Sequence, residues 1–331
     1  MKQDGFFLPN PRTRLLTLCF SVLFAVLLLV SATVGKHQNL LPHAGSLFAD
    51  ETGVPHFLFW QLWLPRALVA AGVGAALAVS GCFFQLLSRN PLGSPDIIGI
   101  NAGASLGAVA VSLVWVNTLP VTLGALIGAV ATLVLVLLGN GTRNRFSLEI
   151  VIGGLAVNAL AMAAVQFVLT GVRQEDAYLI SVWLSGSLAQ RGWGEVAVVW
   201  TTLPVCATAL ALLGRPFAVM QVSPAAAAFL GVPLKKISFW GLLAATILAT
   251  AAVVAAGPIA FIALAAPHLT RKIFKSSRPL ILPTALVGAS LLLFSDLLAR
   301  FLPMQSALPV GVFTAGVGGL YLLYLIFSER K

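Results

Sequence analysis

The chain has 331 residues, of which 59% are hydrophobic and only 9% charged, with a mean hydropathy of +0.98 and a formal net charge of +10. Water-soluble domains of this length carry far less apolar sequence, so a soluble enzyme or binding module is excluded. The basic residues are scattered at the ends of apolar runs without a nucleic-acid motif, so the charge points to membrane orientation instead.

Ten apolar runs are predicted to cross a bilayer as helices: residues 15–34, 62–87, 95–116, 120–139, 148–170, 196–213, 237–256, 259–273, 281–298 and 308–327. A run of about 17–25 apolar residues spans the hydrocarbon core, and a helix keeps its backbone hydrogen bonds internal there. The first run follows Lys2, Arg12 and Arg14. It is too long for a signal peptide and lacks a small-residue cleavage site after it, so it reads as a retained span. Residues 35–61 have mixed polarity, carry His37, His43 and His56, and end near Trp60 and Trp63, as a short interfacial element would.

The second and third runs are joined by a tight polar turn, Arg89-Asn90-Pro91-Leu92-Gly93-Ser94-Pro95-Asp96. Its prolines discourage helix in the residues before them. Ser94 at an N-cap position, Pro95 at the first helical position and Asp96 in the first turn predict that a helix restarts there. Gly99, Gly103 and Gly107 then fall four residues apart, a spacing that lets another helix approach closely. Asp96 and Glu149 both lie at helix starts, where the helix dipole favours an acid.

Residues 214–236 form the second excursion of note. Within it Ser223-Pro224-Ala225-Ala226-Ala227-Ala228-Phe229-Leu230-Gly231-Val232-Pro233 reads as a capped short helix stopped by Gly231 and Pro233. Such a helix is either a plain interfacial element or a docking element for another protein. Further on, His268 follows Pro267 and is positioned to satisfy a broken-helix carbonyl. Asp296 and Arg300, four apart near the end of the ninth run, can pair along one helix face.

Placing the N-terminus inside puts fifteen of the 20 basic residues on the cytoplasmic side, leaving Lys36, Arg66, Arg173, Arg191 and Arg300 outside. Both termini are then cytoplasmic. Cys19, Cys82 and Cys206 lie singly in apolar runs and read as small core residues, and the four histidines are dispersed, so no metal site is expected. The nucleotide-cradling pattern of Gly, four residues, Gly-Lys-Ser/Thr is absent, so ATP-driven transport would need another chain to bind the nucleotide. A secondary carrier would need a coupling-ion acid near the midplane, and an intramembrane enzyme a facing nucleophile and base; the sequence offers neither.

Several ordered motifs resemble one family. They are Leu64-Pro65-Arg66, the turn Arg89-Asn90-Pro91-Leu92 with its Gly-rich helix, Ala256-Gly257-Pro258-Ile259-Ala260-Phe261-Ile262-Ala263-Leu264 running into Ala266-Pro267-His268, and Leu308-Pro309-Val310-Gly311-Val312. They are similar to the FecCD-type permeases of iron-siderophore and cobalamin ABC importers, over nearly the whole chain, and closest to the ferric catecholate (enterobactin-like) branch. The resemblance implies an all-α polytopic membrane protein with about ten transmembrane helices in the type II ABC importer permease fold. It is a single permease domain over 1–331 with a cytoplasmic coupling segment at about 214–236.

The resemblance also implies an inner-membrane transport subunit, not an enzyme, that moves a ferric siderophore from periplasm to cytoplasm; cobalamin or haem is the alternative cargo. Its partners would be two ATP-binding subunits, a second permease subunit in a heterodimer or homodimer, and a periplasmic siderophore-binding protein. No cofactor is expected on this chain, with ATP and Mg on the partner ATPase. Residue by residue, Arg66 and Arg300 match arginines that dock the binding protein, with Asp296 orienting Arg300. Trp63 stands where the cobalamin branch has a further arginine. Ser223, Pro224, Ala227, Phe229, Leu230, Gly231 and Val232 match the element that couples to the ATPase. Asn90 and Leu92, with Ser147 and Leu148, match the cytoplasmic gate, although Ser147 and Leu148 depart from the small hydroxyl pair of the family.

Overall fold

The computed structural model describes residues 11–35, 53–114, 119–139, 148–276, 279–302 and 308–328. These residues form a helical bundle: α1 Pro11–Thr33, α2 Val54–Ser88, α3 Ile100–Val114, α4 Val121–Gly139, α5 Leu148–Gly171, α6 Gln174–Leu184, α7 Trp193–Val222, α8 Pro224–Phe229, α9 Leu234–Ala256, α10 Ile262–Phe274, α11 Ile281–Phe301 and α12 Val310–Ser328. Each of the ten apolar runs holds one of these helices. Six are individually long and apolar enough to cross a bilayer, namely Pro11–Thr33, Val54–Ser88, Ile152–Gly171, Trp193–Met220, Leu234–Ala256 and Ile281–Phe301. At 13 residues α10 is the short one. Rising about 1.5 Å per residue it is roughly 20 Å long, against a hydrocarbon core about 30 Å thick, and the non-helical residues 257–261 precede it.

The hub is α2, packed by α1, α7, α9, α10 and α11. Its most apolar stretch is 94% buried, against 17% for α1 and for α5. Small residues make this possible: Gly74 meets the backbone of Gly288 in α11, and a Cβ at Gly81 would overlap the Ala263 carbonyl of α10. The same device joins α3 to α4, where Gly103 and Gly107 lie against Gly128 and Gly124 with no room for a side chain. Gly107→Leu is therefore expected to force the two helices apart at a cost of about 1–3 kcal/mol, read as a lowered melting midpoint in detergent.

Several boundaries differ from the sequence expectation for physical reasons. The helix predicted to restart at Pro95 begins at Ile100; Pro95–Ile98 is a 3-10 turn closed by Gly99 at φ 80, and Ser94 is extended without a side-chain cap bond. The Asp96 carboxylate there accepts a hydrogen bond from Asn101 Nδ2. Helix α2 starts at Val54 and not at 62, passing through a π-helical turn Leu58–Trp63. Helix α7 runs on to Val222 through Pro204 and Pro216, so the excursion expected from 214 starts at Ser223. Phe217, fully buried edge-on to Phe83 at 5.5 Å and seated on Gly241, anchors that extension and outweighs the proline. Helix α6 was not anticipated, and Cys19 is exposed, unlike the buried Cys82 and Cys206. His268 is hydrogen-bonded through Nδ1 to the Tyr321 hydroxyl of α12.

Candidate docking and coupling surfaces

Following the chain back and forth through the bundle, the end of α1, the start of α2 and the end of α11 share one face. There Asp296, fully buried, sits between two guanidinium groups. Arg66 donates from Nε (3.1 Å) and Nη2 (2.7 Å) to Oδ1, and Arg300 donates from Nη2 to Oδ2. Arg300 also donates to the Ser31 carbonyl (2.8 Å) and hydroxyl (3.0 Å) of α1. The cluster thus ties three helices together, the carboxylate joining α11 to α2 and Arg300 reaching α1, and it carries a net positive charge. The Arg66 side chain remains 24% exposed and that of Arg300 9%, so Arg66 is the one that faces outward. Trp63 lies one turn before Arg66 and packs its ring on Gly35. The i,i+4 spacing of Asp296 and Arg300 was readable, but the contacts of Asp296 with Arg66 and of Arg300 with Ser31 cross 230 and 269 residues and leave no spacing signal.

On the opposite face Ser223, extended at φ −159, leads into α8, and its carbonyl accepts the Ala227 N–H at 3.0 Å. Pro224 occupies the first helical position, where its missing N–H costs nothing. The end of α8 closes as a Schellman motif: Val232 N–H reaches the Ala227 carbonyl and Gly231 N–H the Ala228 carbonyl, both at 3.0 Å, with Gly231 at φ +75. Ala227 is buried and Val232 packs on the core, whereas Phe229 is 91% and Leu230 72% exposed. Two large apolar side chains standing in the open on a short, tightly capped helix form a protruding hydrophobic tip.

The turn after α2 is drawn to this corner. Arg89, left-handed at φ 51, donates from Nη2 to the Met220 carbonyl near the end of α7 (2.9 Å). Asn90 Oδ1 accepts the Leu92 N–H at 2.9 Å, and Leu92 is half exposed. Of the remaining gate residues, Ser147 lies outside the described residues and Leu148 opens the helix α5. The structure thus joins the Asn90–Leu92 turn to the α7–α8 corner, with the arginine cluster at the far end of the bundle.

A third constellation was not foreseen. Pro267 has no N–H to give the Ala263 carbonyl, and Gly81 of α2 presents its bare backbone to that carbonyl. One turn along α2, the buried Gln85 donates from Nε2 to the Leu264 carbonyl (3.1 Å) and accepts from Arg271 Nη2 (2.6 Å). Gly81, Gln85 and Pro267 are separately visible in sequence, but only the crossing of α2 and α10 relates them. Among the described residues no group of three or more His, Cys, Asp or Glu side chains is placed to hold a metal ion.

Among the described residues, six helices long enough to cross a membrane with shorter apolar helices packed among them, polar clusters at the two ends of the bundle and an apolar tip on one face are the features of a membrane permease, and the sequence has no nucleotide motif of its own. The FecCD transport family matches residues 23–328, and the chain belongs to that family. It is 38% identical over 273 residues to the ferric enterobactin transport system permease protein FepG of Escherichia coli (strain K12), covering 82% of each chain. It is 39% identical over 288 residues to the hemin transport system permease protein HmuU of Yersinia pestis, covering 82% of this chain and 85% of that one. The vitamin B12 import system permease protein BtuC of Vibrio vulnificus (strain CMCP6) is 34% identical over 93% of both chains. Among solved structures, a transporter assigned to the metal-chelate ABC type, in an inward-facing conformation, superposes with a TM-score of 0.84 at 25% identity, over 95% of this chain and 99% of the other. The protein is therefore a multi-pass permease subunit of an ABC importer, a transport subunit and not an enzyme, that works with ATPase and substrate-binding partners.

Proposed function

We propose that this permease imports a ferric siderophore of the catecholate type across the inner membrane, from periplasm to cytoplasm, with both termini in the cytoplasm. The observation that carries the substrate class is the 38% identity to the ferric enterobactin permease over 82% of both chains. A second reading, haem or cobalamin, rests on the comparable identity to the hemin permease and the longer match to the vitamin B12 permease. Uptake of radiolabelled iron presented as ferric enterobactin, in cells whose own permeases are deleted, separates them. The proposal expects iron accumulation that excess hemin or cobalamin does not suppress. Accumulation of labelled haem or cobalamin, with none of ferric enterobactin, would overturn it.

In this reading Arg66 contacts an acidic patch on the periplasmic binding protein, while Asp296 and Arg300 hold it in place and Trp63 flanks it. The α8 tip, with Phe229 and Leu230 foremost, seats in a cleft of the ATP-binding subunit, and the Asn90–Leu92 turn gates the cytoplasmic exit. Two ATP-binding subunits, carrying ATP and Mg, serve this chain and a second permease subunit, paired as a heterodimer. The Schellman closure at Gly231 sets the angle of the tip. Gly231→Val places a β-branched residue in the left-handed region, costing about 1–2 kcal/mol locally, and is expected to leave ATP hydrolysis running with reduced transport. The ratio of substrate imported to ATP hydrolysed in proteoliposomes checks this; an unchanged ratio would remove the role assigned to the cap.

A further inference from the structure

Helix α10 is built as a segment between two breaks. Phe261 at its start and Lys275 at its end both hold left-handed backbone, φ 69 and 47, without being glycine, and Pro267 interrupts its middle. Between α10, α11 and α12 lies a cavity of about 70 Å³ lined by Phe261, Leu269, Leu291, Val317 and Tyr321, bounded by the contact of Phe261 with Gly318 and by the hydrogen bond between His268 and Tyr321. On the side facing α2 the fit is closed, Gly81 against the Ala263 carbonyl. A short helix with conformational breaks at both ends, and beside it a cavity lined by α11 and α12 but not by α2, has a direction in which it can shift.

What holds it on the tight side is Gln85. Its amide is used at both ends, donating to the Leu264 carbonyl and accepting from Arg271, so one side chain of the rigid hub grips both halves of α10 across the proline. Gln85 is buried, and the Leu264 carbonyl it reaches is next in the chain to that of Ala263, which Pro267 leaves without its helical donor. We propose that Gln85 is a positioning residue for transport: it latches α10 to α2 in one state of the cycle, and its release lets α10 move toward the cavity beside α12. The role rests on the ATP-driven permease reading and not on the identity of the cargo.

Double electron–electron resonance on the complex copurified with its ATPase tests the latch. Spin labels go on Lys275, at the end of α10, and Lys236, near the start of α9, which packs along α2. In the otherwise unaltered chain, ATP, Mg and vanadate are expected to shift the modal distance by about 1–2 Å or more, the size of helix shifts in switching proteins. In Gln85→Leu the nucleotide-free distribution is expected to broaden until it spans both positions, with a several-fold fall in substrate imported per ATP hydrolysed. If Gln85→Leu does not assemble, Arg271→Met breaks one of the two bonds from the less buried side and is expected to broaden the distribution in the same way. A distance that ignores nucleotide, or a variant as narrow as the parent chain, overturns the latch. Failure to recover any ATPase would instead overturn the permease reading on which it rests.

Discussion

Asp296→Asn is expected to be the most damaging single substitution at the arginine cluster. The carboxylate is fully buried and balances two guanidinium groups, so the variant leaves Arg66 and Arg300 facing each other across a neutral amide. Breaking a buried ion pair from one side costs about 3–5 kcal/mol, mostly from the charge left uncompensated, and the partial exposure of Arg66 sets the lower end of that range here. The melting midpoint in detergent should fall clearly. A double variant, Asp296→Leu with Arg300→Met, removes the more buried of the two stranded charges, leaving the partly exposed Arg66, and should recover part of the loss. If Asp296→Asn melts like the parent chain, the cluster does not tie α1, α2 and α11 together. Arg66→Gln keeps the Asp296–Arg300 pair and isolates the outward-facing cation; it is expected to weaken stimulation by the binding protein while the complex stays assembled.

The second large effect is expected at the opposite face. Phe229 and Leu230 stand almost fully in solvent, so changing both to aspartate leaves the fold of this chain unaffected. Burying two such side chains against a partner contributes about 1.5–3 kcal/mol each, and tenfold in affinity is 1.4 kcal/mol, so the pair should cost about 100-fold or more in ATPase affinity. The readout is the amount of ATPase recovered with the tagged chain, at unchanged melting midpoint. Full recovery with the double variant would show that the tip is a plain interfacial feature.

The periodic, long and punctuated parts of the fold were legible in sequence. Apolar runs marked each membrane helix, Gly231 marked the end of α8, and Gly103 and Gly107 marked a close helix contact. Segments where tertiary packing overrides local preference were not. The helix was expected to end at residue 213, but Phe217 buries itself between Phe83 and Gly241 and carries α7 onward to Val222. Ser94 and Pro95 had the chemistry of a helix start, yet the left-handed Gly99 breaks the turn and moves the start to Ile100. The polar clusters divide in the same way. Asp296 and Arg300 share a helix face and were paired by spacing alone, whereas Arg66, Ser31 and the grip of Gln85 on α10 depend on which helices cross, information that no local pattern holds.

This chain forms the membrane path, and a separate ATPase drives it. Purification of the tagged chain from its native membrane in mild detergent, with mass spectrometry of every protein recovered, tests that most directly. An ATP-binding subunit is expected together with a second permease chain. Recovery of this chain alone, from membranes in which known complexes stay intact, would contradict it and favour a self-contained carrier.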